Sequence, residues 1–123
     1  MKFRYARHTT DLAPIKHFYT EIVGLKNLGG FEGHSDYDGV FLGLENSDWH
    51  LEFTASPDKP ESIFDADDAL VFYLSSKEEL AQKQNFLVQK GIELIKPKNP
   101  YWEENGIMIQ DPDGYRIIFS VRP

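Results

Sequence analysis

A chain of 123 residues with a formal net charge of −7 and 41% hydrophobic residues has the length of one domain, or of two small halves, and enough apolar material for a core. Its acidity argues against nucleic acid and anionic membrane as partners, and the absence of cysteine excludes disulfide frameworks, thiolate zinc sites and cysteine nucleophiles. The first residues, MKFRYARH, hold no apolar signal core, and no run nears the roughly 20 apolar residues of a membrane span, so a cytoplasmic setting is expected.

Residues 2–9, KFRYARHT, alternate as a strand. Asp11 then offers an N-cap and Pro14 falls in a first helical turn, where its missing N–H costs little. Leu12, Ile15, Phe18, Tyr19 and Ile22 recur at helical spacing, with Gly24 as the stop. Strand-like pieces follow around 25–32, 39–44 and 48–54, broken by the turn-forming clusters SDYDG and ENSD. Residues 55–67, ASPDKPESIFDAD, read as a linker. The pattern then restarts: ALVFYL is a strand, Ser75 or Ser76 with Glu78 or Glu79 makes a capping box, and a helix runs towards Gly91. Strands are expected near 92–95, 103–110 and 115–121.

The two halves align with each other. Gly24 and Gly91 end their helices 67 residues apart, and ENSDWHLEFT lies over DPDGYRIIFS at an offset of 66. Two matches at nearly one offset point to duplicated βαβββ modules, spanning 1–54 and 68–123 around the linker and together making one domain.

TDLAPIKHFYTEIVGL (10–25), with its DL, FY and closing GL pairs, and DPDGYRIIF (111–119), with its DPDG turn feeding a last strand, carry a resemblance to the vicinal oxygen chelate superfamily. That superfamily includes glyoxalase I, the bleomycin-resistance proteins and the extradiol dioxygenases. The resemblance implies an α+β fold in which two βαβββ modules form a partial barrel around a cleft, and a homodimer. It also locates the usual metal ligands, one on the first and one on the last strand of each module. In this chain those positions fall on Arg4, on Glu52, near Ala69 or Leu70, and on Ile118, so only Glu52 is a ligand type. A lone carboxylate holds a divalent ion weakly. Arg4 brings a fixed positive charge towards Glu52, and an ion pair between the two is expected.

One metal set remains as an alternative. His50 and Glu52, two apart on a strand, project from one face, and His8 shares a face with Arg4. His8, His50 and Glu52 would then make a two-histidine, one-carboxylate site for iron, zinc, nickel or manganese. The competing reading makes the histidines hydrogen-bonded wall residues, in keeping with Arg116 standing at the position equivalent to His50. His17 reads as a surface residue, and HSDYD (34–38), with His34, Asp36 and Asp38, as a solvated loop. No nucleophile elbow or phosphate-cradling glycine loop is present.

Aromatic residues at Tyr5, Phe41, Trp49, Phe72, Tyr73, Tyr101, Trp102 and Tyr115 would line or flank the cleft. NPYWEENG (99–106) precedes a second-module strand, where Tyr101 and Trp102 would close over a ligand. The missing ligands favour a metal-free protein that binds a small organic molecule among Arg4, His8, His50, Glu52, Tyr73, Trp102 and Tyr115. The alternative is a metal-dependent lyase, isomerase or dioxygenase using His8, His50 and Glu52, with Glu52 the catalytic candidate.

Overall fold

In the computed structural model, which describes all 123 residues, the alternating N-terminal stretch becomes β1 (Phe3–His8). Asp11 caps the next helix as its sequence suggests, its Oδ1 accepting from the Ala13 N–H at 3.1 Å. That helix, α1 (Leu12–His17), does not run unbroken to Gly24. From Phe18 to Val23 it widens into π-helical turns, and the Thr20 hydroxyl donates to the Lys16 carbonyl at 2.7 Å where the α-helical ladder shifts. The widened turns put Phe18, Tyr19, Ile22 and Val23 all into the core. Gly24 ends the segment at φ 99°, a left-handed conformation that costs glycine nothing.

β2 (Lys26–His34) and β3 (Tyr37–Gly43) form a hairpin, and β4 (Trp49–Ala55) completes a four-stranded sheet in the order β1-β4-β3-β2. The cluster SDYDG is shorter as a turn than its composition suggests. Ser35 and Asp36 take left-handed φ values of 51° and 69°, making a two-residue turn, so the strands extend to His34 and Tyr37. β1 and β4 run parallel, with Arg4 opposite His50, Ala6 opposite Glu52 and His8 opposite Thr54. One sheet face buries Val40, Leu42, Leu51 and Phe53 against the helix, where the Tyr19 and Phe53 rings lie 4.7 Å apart. By alternation, His50, Glu52 and Thr54 project from the other face.

The second unit repeats the plan with one strand fewer. The chain divides into compact units Met1–Ser62 and Ile63–Pro123, within the stretch read as a linker. β5 (Ala69–Leu74), α2 (Lys77–Gln89), α3 (Pro100–Asn105), β6 (Gly106–Gln110) and β7 (Arg116–Val121) give a three-stranded sheet ordered β5-β7-β6. As β1 does with β4, β5 runs parallel to β7. The Ser76 hydroxyl accepts from the Glu79 N–H at 3.1 Å, while Glu79 reaches back to the Ser75 N–H at 2.9 Å, a reciprocal capping box. The core gathers Leu87, Ile107, Ile109, Ile117 and Phe119.

Two expectations fail in this unit. The strand expected near 92–95 survives as a single bridge, Ile95 to Met108: the Ile92 N–H is spent on the Leu87 carbonyl at 2.9 Å where α2 closes, and Pro97 brings no N–H with which to extend the pairing onward. The strand expected over 103–110 starts only at Gly106, since Pro100–Asn105 is helical, capped by Asn99 Oδ1 on the Tyr101 N–H at 3.0 Å. Proline at the first helical position is pre-set for that conformation.

Candidate functional site

The parallel register of β1 and β4 brings Arg4 against His50 and Glu52. Arg4 Nε donates to His50 Nε2 at 3.0 Å, and Arg4 Nη1 stands 3.4 Å from Glu52 Oε1. The expected ion pair is therefore made. The Arg4 side chain is 52% exposed and that of Glu52 only 12%, so the carboxylate is held near the sheet while one side of the guanidinium stays open. Phe41 on β3 completes the arrangement: its ring lies 5.3 Å from the guanidinium carbon and meets His50 edge-on at 5.7 Å. Phe31 on β2 follows, 5.9 Å from Phe41. The sequence reading missed Phe31; the glycines around it were the available sign. Gly39 is the register partner of Phe31, and a Cβ on Gly39 would strike the Phe31 ring.

His8 does not join this group. It pairs with Thr54, beyond Glu52 on the strand, and its Nε2 lies 3.0 Å from Ser56 Oγ, with Tyr37 6.0 Å away. No three histidine and acidic side chains gather into a metal-holding group, so the set His8, His50 and Glu52 is not assembled. The reason is positional: strand register separates His8 from His50, while Arg4 takes the space between His50 and Glu52. The superfamily's metal thus does not fit the donors present. His17 is exposed, and Asp38 is engaged with the Gly33 N–H at 2.8 Å.

In the second unit the register aligns Ala69 with Arg116 as Arg4 is aligned with His50, which resolves the first-strand position to Ala69. The last-strand position is Ile118, 2% exposed. Trp102 shares a small void with Ala69, Met108 and Ile118, and Tyr73, paired with Ser120, falls on the same sheet face. Tyr73 is half-exposed, 5.3 Å from the Arg122 guanidinium. Tyr115 packs instead on Phe64 at 4.6 Å, and Phe72 on the core residue Phe119. The unit also has an open groove of about 670 Å³, with Leu80, Ala81 and Gln84 of α2 on one wall and Ile107 of β6 on the other; no sequence motif marks it. α2 sets Lys83 Nζ 4.9 Å from the rings of both Phe86 and Phe119, and burial lowers the pKa of its ammonium.

Comparison with known proteins agrees with both units. Residues 3–54 match the YycE-like N-terminal domain and residues 67–120 the YycE-like C-terminal domain. The chain is 41% identical over 119 residues to the uncharacterized protein YycE of Bacillus subtilis (strain 168), covering 96% of this chain and 86% of the relative. A crystal structure of a YycE protein of unknown function from Bacillus subtilis superposes with a TM-score of 0.84 at 39% identity, over 99% of this chain and 90% of that one. TnmS3, an antibiotic binding protein from Streptomyces sp. CB03234, shares the fold alone, with a TM-score of 0.73 at 21% identity over 100% and 96% of the two chains. No helix is long and apolar enough to cross a membrane. With two βαβ-based modules, both domain matches and solved neighbours among the glyoxalases and the fosfomycin- and bleomycin-resistance proteins, the chain belongs to the YycE-like family of the vicinal oxygen chelate superfamily.

Proposed function

We propose that the protein is a metal-free binder of a small organic molecule, held on the face of the first sheet around Arg4. The observation that carries this reading is the half-exposed guanidinium anchored by His50, Glu52 and the Phe41 ring. A cation fixed in this way receives an oxygen of its ligand without first losing side-chain entropy. Phe31 and Phe41 beside it offer apolar surface to a flat ligand. The ligand class is therefore a planar molecule carrying a carbonyl or carboxylate oxygen. The likeness to an antibiotic binding protein points the same way, at the level of the fold. Tyr73 and Trp102 are proposed as ligand contacts on the second unit's own sheet face, and the working form as a cytoplasmic homodimer.

The test is an NMR-detected screen of aromatic carboxylates and carbonyls on the untagged protein. Binding that shifts the amides of β1, β3 and β4, and is lost in Arg4→Met, is the expected result. Shifts confined to the α2 groove, or indifferent to Arg4→Met, would overturn it. Elemental analysis gives an independent check. Stoichiometric iron, zinc, nickel or manganese that disappears in Glu52→Gln would replace this reading with the metal-dependent lyase, isomerase or dioxygenase. Sedimentation equilibrium reports the dimer.

A further inference from the structure

Arg4, His50 and Glu52 sit at three corners of one small area. Arg4 and His50 are register partners on neighbouring strands, and Glu52 lies two residues further along the same face. Strands stand roughly 4.8 Å apart and same-face neighbours roughly 6.6 Å, so side chains from these positions converge on a common point. Two of the three carry lone pairs suited to a cation, an imidazole nitrogen and a carboxylate. The third supplies the cation itself. Arg4 Nε points at the bare His50 Nε2, the atom with which an imidazole would bind metal, and Nη1 at Glu52 Oε1.

We propose that Arg4 is a tethered cation that fills a latent metal site, holding His50 and Glu52 as its ligands and closing the position to divalent ions. Exchange of the guanidinium for a third donor opens it. Arg4→His sets two imidazoles and one carboxylate at the three corners, a donor set suited to zinc, cobalt or iron. Arg4 fills this place whatever ligand the open side of the guanidinium takes, so failure of the small-molecule screen leaves the inference standing.

Cobalt(II) is the probe, because its visible absorption reports coordination directly. The untagged wild-type protein is expected to give no visible bands and no saturable uptake by calorimetry. Arg4→His is expected to take up a stoichiometric equivalent with visible bands, and Arg4→His combined with Glu52→Gln to lose it. Uptake by the wild type that Glu52→Gln abolishes would overturn the proposal, as would a folded Arg4→His that takes up no cobalt. A measurement on the wild type alone guards against an Arg4→His variant that does not fold. The Arg4 bond requires His50 to carry its proton on Nδ1, which long-range proton–nitrogen correlation of the imidazole distinguishes. Finding the proton on Nε2 instead would overturn the proposal without any mutation.

Discussion

Single side chains in this protein are set by what stands opposite them, and Lys83 is the clearest instance. Its ammonium is drawn over two aromatic rings and desolvated, which lowers its pKa. The unfolded chain then binds the proton more strongly than the folded one, so stability rises as pH climbs towards the unfolded value of 10.5, and the burial penalty is present in full below the folded pKa. Lys83→Met keeps the stem that covers Phe86 and Phe119 and removes the charge. It is expected to be more stable than wild type at pH 7, the gap narrowing as pH rises, in urea midpoints taken from pH 7 to 10.5. A gap that stays constant over that range would refute the account. The charges around Arg4 were legible because alternation sets His50 and Glu52 on one face and the resemblance to the superfamily puts Arg4 and Glu52 at neighbouring ligand positions; the parallel pairing of the first and last strands is what brings them together. The alternative metal set took in His8 because sharing a face with Arg4 says nothing of height along the strand; the pairing with Thr54 sets that height, and the contact with Ser56 agrees with the competing reading of a hydrogen-bonded wall residue.

Elements were read well where a local device fixes them and poorly where pairing does. The Asp11 and Ser76 caps and the Gly24 and Gly91 stops each act within a few residues, and all appear as expected. The lost strand at 92–95 depended on whether a neighbouring edge would accept it, which a single window does not reveal, whereas the helix at Pro100–Asn105 carries its own local signal in the Asn99 cap and Pro100, masked by the apolar run that follows. The DPDG segment shows how a recognised motif has a physical basis. Asp111 is 5% exposed, and its Oδ1 accepts the Asp113 and Tyr115 N–H groups at 2.8 and 3.1 Å, while its carbonyl accepts from Gly114 at 2.9 Å. The carboxylate folds the turn that delivers β7. Asp111→Ala leaves two N–H groups without their acceptor and should cost about 1–3 kcal/mol. Asp111→Asn keeps an oxygen at the same place and should recover most of that loss. Equal destabilisation of the two variants in urea titrations would show that the turn is held by something other than these bonds.

At the scale of the whole chain, the duplicated plan makes the two units comparable position by position, and their difference is chemical. Arg4 corresponds to Ala69, His50 to Arg116 and Glu52 to Ile118, so the first sheet presents a charged set where the second presents aliphatic side chains at two of the three positions. Ile118 is the position at which the superfamily's last glutamate would stand, and installing that glutamate tests whether the second unit keeps a vestigial site or an ordinary core. Its neighbours answer in advance. The γ-methyl of Ile118 would lie 2.9 Å from a Cβ placed on Gly106, Met108 is its strand partner, and Trp102 and Ala69 line the void beside it. Among these only the Trp102 indole donates from its side chain, although Lys98 and Asn99 also line the void and Arg116 stands two residues away on the same face. Ile118→Glu should therefore bury a charge with only partial compensation, costing on the order of 3 kcal/mol. That is a large share of the roughly 5–15 kcal/mol by which a domain is stable. Because the buried carboxyl escapes the penalty by taking up a proton, the loss should shrink as pH falls below neutrality, which thermal melts at pH 5 and 8 would reveal. Near-wild-type stability at pH 8, with uptake of a divalent ion, would mean instead that the second unit retains a usable cation position; the packing around Ile118 argues that it holds only core.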